Sequence, residues 1–282
     1  MSAPLLSIDD LTVEFGRGRR RITAVRGLSL AMGRERLGVV GESGSGKSTL
    51  ARAILRLTPG RITARRLAFD GLDLLALSSS GLRRLRGARI GFVPQDPGYA
   101  LNPVLPVGAQ IAEMLRVHRG AIRREARAQT LAVLDAVGFR EPARVYASYP
   151  HQLSGGMGQR AVIAMMTVAE PDLLIADEPT SALDAVVRLK VLALIADVIE
   201  RRRMGLLLIS HDLALIAAFC DRVLVMYGGR IVEALDAHEL EQARHPYTRG
   251  LLAARPRIEA PRELLPVLER DPAWLQDRGV VP

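Results

Sequence analysis

Among its 282 residues the chain has one cysteine, one tryptophan and only two lysines, and no apolar run comes near the length of a membrane span. A lone Cys220 excludes an internal disulfide and any Cys-rich metal or cluster site, which fits a reducing cytoplasm. About 20 consecutive apolar residues are needed to cross a bilayer, so no segment is expected to span one. The N-terminus has no basic start, no long apolar run, and acids at Asp9 and Asp10, so a secretory signal is not expected. With lysine confined to Lys47 and Lys190, the net charge of +9 comes from arginine spread along the whole chain. Such a charge suits nucleic acid, an acidic protein surface or an anionic membrane face, or simply an arginine-biased solvated surface.

What is present is an apolar content of 49%, enough for one large core and a smaller lobe. Short apolar runs alternate with longer helical patterns, the signature of an α/β chain with crossover helices around a largely parallel sheet. Residues 37–40, 90–93, 173–176 and 206–209 read as buried strands at the sheet centre. Residues 11–15 and 66–69 read as strands of an antiparallel edge, the second followed by the turn pair Asp70-Gly71. A hairpin is expected over residues 223–226 and 230–233, joined at Gly228-Gly229. From Asp96 to about Ala169 the pattern changes to helices with Pro-rich joints, over residues 107–117, 122–137 and from near Ser154, which reads as an inserted helical lobe. Four segments follow: residues 1–95, 96–169 as the helical insert, 170–240 as the core continued, and 241–282, Pro- and Arg-rich, as a loosely packed extension.

Residues Gly41, Glu42, Ser43, Gly44, Ser45, Gly46, Lys47, Ser48 and Thr49 fit G-x-x-x-x-G-K-[ST] between a strand and a helix predicted over residues 48–57. Glycines let the backbone wrap so that successive N–H groups point at a β-phosphate, and the helix N-terminus adds partial positive charge. Lys47 would bridge the β- and γ-phosphates and Ser48 would give its hydroxyl to Mg²⁺. In a chain nearly without lysine, a lysine here fits a need for a compact ammonium between phosphates.

Residues 172–178 form an apolar strand that ends in two acids. There Asp177 would hold Mg²⁺ through a water and Glu178 would polarise an attacking water. The strand over residues 206–209 runs into Ser210, His211 and Asp212. An imidazole at the C-terminal edge of a parallel strand lies where ligands bind in such sheets, so His211 would contact the γ-phosphate; taken alone it is equally a surface histidine.

Leu153, Ser154, Gly155, Gly156, Met157, Gly158, Gln159 and Arg160 stand ahead of the acid-tipped strand, and with them the chain resembles the ABC ATPases. The resemblance implies a P-loop NTPase (RecA-like) core with an antiparallel β edge subdomain and an inserted α-helical subdomain. It implies that Ser154, Gly155 and Gly156 cap a helix facing the γ-phosphate of ATP held by the opposite subunit, in a head-to-tail dimer with two ATPs sandwiched. Further marks are Gln95 as the Q-loop, which is implied to touch the metal, Ser181, Ala182, Leu183 and Asp184 as the D-loop, His211 as the switch histidine, and Phe15 as the aromatic that stacks on adenine.

A narrower likeness, over roughly residues 5–255, is to the dipeptide, oligopeptide and nickel importer ATPases. It rests on Gln95-Asp96-Pro97 with Leu101-Asn102-Pro103-Val104, on Tyr149-Pro150-His151-Gln152, and on His245-Pro246-Tyr247-Thr248. ATP and Mg²⁺ are the implied cofactors. The implied partners are a second ATPase subunit, identical or related, two transmembrane permease subunits and an external solute-binding protein, which places the chain on the cytoplasmic face of the inner membrane. Pro97, Tyr99, Leu101 and Pro103 are read as apolar groups on a loop that docks a partner's short helix. Gly158 stands where that subfamily usually has Arg, at a helix cost of about 1 kcal/mol. No Cys follows position 220, so no iron-sulfur cluster is expected. Two other readings stay open: a soluble ABC-type ATPase acting on nucleic acid, although only about 130 residues separate Lys47 from Asp177 and a single cassette is present, and an accessory of a multi-protein enzyme such as phosphonate breakdown.

Overall fold

A computed structural model describes residues 3–180, 183–254, 271 and 274. The chain divides into two compact units, one of Met1–Ala76 with Leu207–Pro282 and one of Leu77–Leu206.

The first unit opens with β1 (Leu6–Phe15) and β2 (Ile22–Met32), followed by β3 (Arg36–Val40), α1 (Lys47–Ile54), β4 (Arg61–Thr63), β5 (Arg66–Phe69) and β6 (Leu72–Asp73). An antiparallel sheet runs in the order β2-β1-β5-β6, with β4 also on β1. Sequence periodicity found only the second half of β1 and missed β2, and the reason is a matched pair of irregularities. Buried residues alternate as Leu6 and Ile8, then Leu11 and Val13, with the phase slipped by one at Asp10, whose φ is 54°. Opposite it, Val25 gives way to Leu28, Leu30 and Met32 across Gly27, at φ 59°. Register shifts on both strands make a bulge, and a bulge breaks the period of two on which strand recognition rests.

The second unit carries α2 (Ser79–Leu85), β7 (Ile90–Val93), α3 (Val107–Arg119), α4 (Arg123–Ala136), α5 (Pro142–Ala147), α6 (Gly155–Thr167), β8 (Leu173–Asp177) and α7 (Ala185–Arg202). Strands β7 and β8 pair in parallel from Ile90 beside Leu173 to Val93 beside Ala176. Arg89 Nε donates to Asp172 at 2.7 Å and locks the start of that pair. Ala112 and Leu115 of α3 pack with Ala126 of α4 in the helical part, and Arg119 donates through two guanidinium nitrogens to the carbonyl of Ala169. Helix α6 is buried along Ala161, Val162, Ile163 and Ala164.

The chain leaves the second unit along β9 (Gly205–Ile209), a run of five buried residues. Back in the first unit follow α8 (Leu213–Phe219), β10 (Arg222–Tyr227), β11 (Arg230–Asp236) and α9 (Pro246–Ala253). Here β3 lies between β10, its parallel neighbour, and β9, with β11 returning antiparallel on β10. Arg36 donates side-chain and backbone hydrogens to Asp221, fixing the starts of β3 and β10. Burial pushes the Asp221 carboxyl up, but these hydrogen bonds and the Arg36 charge outweigh it and leave the carboxyl below its ordinary range.

Reading everything beyond residue 240 as loosely packed is corrected by α9. Tyr247 and Thr248 are wholly buried and Leu252 nearly so. Pro246 opens this helix instead of breaking the chain, because proline at the first helical position loses no intrahelical bond. His245 caps it, its Nδ1 accepting the Tyr247 N–H at 3.2 Å.

Candidate functional site

In the first unit, β3 delivers the chain into the loop Gly41–Lys47, and α1 carries it away. Gly41 has φ 149°, and a Cβ there would run into the carbonyl oxygen of Met226. At Gly46, φ 104°, a Cβ would run into the carbonyl of Ala24. Both positions therefore admit only glycine, through backbone conformation and through close approach. The loop is pinned from outside by the β10–β11 turn, where Gly229 N–H donates to Ser45 C=O at 2.9 Å and Gly229 C=O accepts from Arg26 N–H at 2.8 Å.

Lys47 is 7% exposed. Its ammonium donates to Gly41 C=O at 2.7 Å, to Glu42 C=O at 2.8 Å and to Ser45 Oγ at 3.4 Å. A buried ammonium is costly unless oxygen acceptors surround it, and this loop supplies them. Ser43 and Gly44 are exposed, and no atom lies within 4 Å of where a Cβ on Gly44 would stand. Ser48 and Thr49 lie half-buried in the first turn of α1. A cationic loop with open space at its crown and a helix N-terminus beneath it fits the phosphates of a nucleotide.

Also in this unit, Phe15 ends β1 with its ring against Gly60. His211 is exposed just after β9, between Ser210, whose N–H donates to Val39 C=O at 3.1 Å, and Asp212, which caps α8 by accepting the Leu215 N–H at 3.0 Å.

In the second unit, β8 ends at Asp177, 1% exposed, and passes to Glu178 at φ 51°. A non-glycine residue in the left-handed region is uncommon and marks a backbone held against its preference. Asp177 here, and Ser48 in the first unit, are each a hard oxygen donor of the kind Mg²⁺ takes.

Helix α6 is capped by Ser154, whose Oγ accepts the Met157 N–H at 3.4 Å. Ser154 and Gly155 are exposed while the helix behind them is buried, so the helix N-terminus is presented at the surface of its unit. Gln159 Nε2 donates to the carbonyl of Pro94 at 3.4 Å, and a Cβ on Gly158 would stand 3.4 Å from Pro97 Cγ. Exposed Gln95 thus sits on a segment that α6 touches on both sides. A Cβ on Gly156 would approach Leu183 to 3.2 Å, which brings the residues before α7 to the same helix end. Asp184 caps α7, accepting the Val187 N–H at 2.9 Å; Ser181 and Ala182 lie outside the described residues.

After Gln95 the loop differs from expectation at one residue. Leu101 is 5% exposed, turned inward by a tight turn in which its N–H donates to Pro97 C=O. Among the large apolar groups presented outward are Tyr99 at 87%, Val104 at 73% and Leu105 at 40% exposure, and Pro103 is exposed beside them as expected. Sequence reasoning missed what holds them: Gln110, buried on α3, accepts from Asn102 N–H at 2.8 Å and donates to Asn102 C=O and Leu105 C=O. A glutamine on the apolar face of α3 was the available signal. It missed Tyr247 too, whose hydroxyl meets the phosphate loop, although His245-Pro246-Tyr247-Thr248 stood out as a motif.

Comparison with known proteins bears on this geometry. Residues 26–181 match the ABC transporter family. The chain is 44% identical over 265 residues to the dipeptide transport ATP-binding protein DppD of Escherichia coli K12, covering 93% of this chain and 81% of that protein. With DppD of Haemophilus influenzae it shares 42% identity over 282 residues, 99% of this chain and 83% of the relative. Among solved structures, a dimeric post-hydrolysis state of the ATP-binding cassette MJ0796 bound to ADP and Pi superposes with a TM-score of 0.75 at 28% identity, covering 82% of this chain and 98% of that one. For cbiO1 from Clostridium perfringens, part of the cbiONQ complex, the TM-score is 0.70 at 25% identity, with coverage of 86% and 92%. The matched stretch takes in the phosphate loop, the capped helix α6 and the acid-tipped strand β8, and with more than half of its length inside that match this chain belongs to the ABC transporter family.

Proposed function

We propose that this chain is the ATP-binding and ATP-hydrolysing subunit of an importer that takes up peptides or related small solutes, nickel chelates among them, across the cytoplasmic membrane. The observation that carries the reading is the buried Lys47 ammonium, held by Gly41 and Glu42 carbonyls inside a glycine-shaped loop. Identity of 44% with a dipeptide transport ATP-binding protein supports the solute class.

In this reading the N–H groups of residues 43–49 and the N-terminus of α1 receive the phosphates, Lys47 bridges the terminal two, and Phe15 stacks on the base. Ser48, Gln95 and Asp177 would hold Mg²⁺. MgATP, when bound, supplies an electrophilic terminal phosphoryl group whose charge the metal offsets. Glu178 takes the proton of the attacking water and His211 orients it. Ser154, Gly155 and Gly156 are offered to the nucleotide of a second ATPase subunit, identical or related, and Asp184 lies beside them in that contact. Tyr99 and Val104, on the loop that Gln110 clamps, dock a short helix of a transmembrane permease pair, which receives solute from an external binding protein. The chain works at the inner face of the membrane; none of its described helices is long and apolar enough to cross one.

Copurification tests this. The tagged full chain should carry integral membrane subunits with it, and vesicles holding that complex with MgATP on the cytoplasmic side should accumulate a dipeptide. Recovery with soluble enzyme subunits alone would instead indicate an accessory role. The net charge of +9 motivates one rival, an ATPase acting on nucleic acid. Retention of duplex DNA on a filter at physiological salt, falling steeply as salt rises, would favour that rival over the importer.

A further inference from the structure

The loop that carries Lys47 is held at one peptide plane by two side chains. The carbonyl of that plane, from Gly41, accepts the Lys47 ammonium at 2.7 Å. Its N–H, from Glu42, donates to the Tyr247 hydroxyl at 2.9 Å, across 205 residues of chain. Glycine at position 41, with φ 149°, leaves little local resistance to a rotation of this plane. Any such rotation would carry the carbonyl away from the ammonium. The Tyr247 hydroxyl is a fixed acceptor on the far side of the plane, and the bond between them opposes the rotation.

Tyr247 is itself immobilised. It is wholly buried at the start of α9. Its ring lies 4.6 Å from that of Tyr227 and 5.9 Å from that of Trp274, and Trp274 stands edge-on to Tyr227 at 5.5 Å. Aromatic contacts of this kind each add stabilisation beyond buried area. Below the ring, Glu233 accepts from the N–H groups of Arg244 and His245 and sets the entry to α9. Tyr227 ends β10, next to the turn whose Gly229 pins Ser45. The loop is therefore gripped by one turn and by one tyrosine, both from chain beyond residue 181, where the family match stops.

We propose that Tyr247 is a positioning residue for nucleotide binding, and that α9 with Trp274 forms a brace that sets the Gly41–Glu42 peptide and through it the Lys47 ammonium. The inference rests on the reading that this loop holds the phosphates of ATP. It gives the segment after the sheet a task in the ATPase itself, and it makes Trp274, the sole tryptophan, a reporter of the loop.

The test compares full-length wild type, Tyr247→Phe and Lys47→Ala. It measures affinity for MgATP with a fluorescent ATP analogue, KM and kcat for hydrolysis, the unfolding midpoint, and Trp274 emission during titration with a non-hydrolysable ATP. Tyr247→Phe keeps the ring and removes one hydrogen bond, so Kd and KM should rise about fivefold while kcat changes less than about twofold. A tyrosine whose hydrogen bond only stabilised the fold would lower the midpoint on this change and leave KM where it was, and unchanged Kd and KM in a folded Tyr247→Phe protein overturn the brace. Should that variant not fold, wild-type Trp274 emission decides: a change saturating with nucleotide is expected, and none overturns the proposal. Lys47→Ala separates the two ideas. If it binds ATP like wild type, the phosphate-loop reading itself falls; if it loses ATP while Tyr247→Phe does not weaken, only the brace falls.

Discussion

Cys220 illustrates how far surroundings decide a residue's chemistry. Burial, helped by the charge of Asp221 and opposed by that of Arg36, pushes its thiol up to about 12. Since the thiolate is the nucleophile, native protein at pH 8 should react with iodoacetamide far more slowly than unfolded protein. Alkylation at equal rates before and after denaturation would show that the thiol is not held as described. Glu178 and Lys47 are the converse case, placed at a cost in stability: one through left-handed backbone at a strand end, the other as a buried ammonium wrapped in carbonyls. Their residue types and spacing were readable in the sequence, because a loop that wraps phosphates needs glycine and lysine at fixed intervals. Tyr247 was not readable as a partner of Glu42, because a bond across 205 residues leaves no local pattern.

Two glycines on helices give opposite expectations at the scale of elements. On α6, a Cβ at Gly158 would meet Pro97 at 3.4 Å, an ordinary contact. Gly158→Ala should therefore gain helix propensity, about 1 kcal/mol, and raise the unfolding midpoint by about 2–4 °C. On α3, a Cβ at Gly108 would overlap the Tyr146 ring, so Gly108→Ala should destabilise by about 1–3 kcal/mol. Melting curves check both, and a lower midpoint for Gly158→Ala would mean that the Pro97 contact is tighter than the geometry shows. Legibility of the elements followed periodicity. Continuous apolar runs such as β9 were found at nearly their true bounds, whereas β2 was lost to the slip in phase at Gly27 and α9 to a proline that starts a helix.

For the whole molecule, the family was legible because the signature segment, the phosphate loop and the acid-tipped strand stand together in one chain, and the solute class through the separate segments at residues 95–104, 149–152 and 245–248. The packing of the last described residues was not, since aromatic contacts of Tyr227, Tyr247 and Trp274 join places far apart in the chain. Arg36 with Asp221, Arg89 with Asp172 and Arg222 with Glu35 cancel charge pair by pair, so the excess of +9 is carried by the remaining basic residues. The decisive property of the molecule is turnover of ATP with Glu178 as the group that activates water. Phosphate release by the membrane-extracted complex carrying Glu178→Gln, set beside its affinity for ATP, tests that directly. Release should fall by about 10²-fold or more while affinity stays within about threefold of wild type. Turnover at the wild-type rate would contradict it.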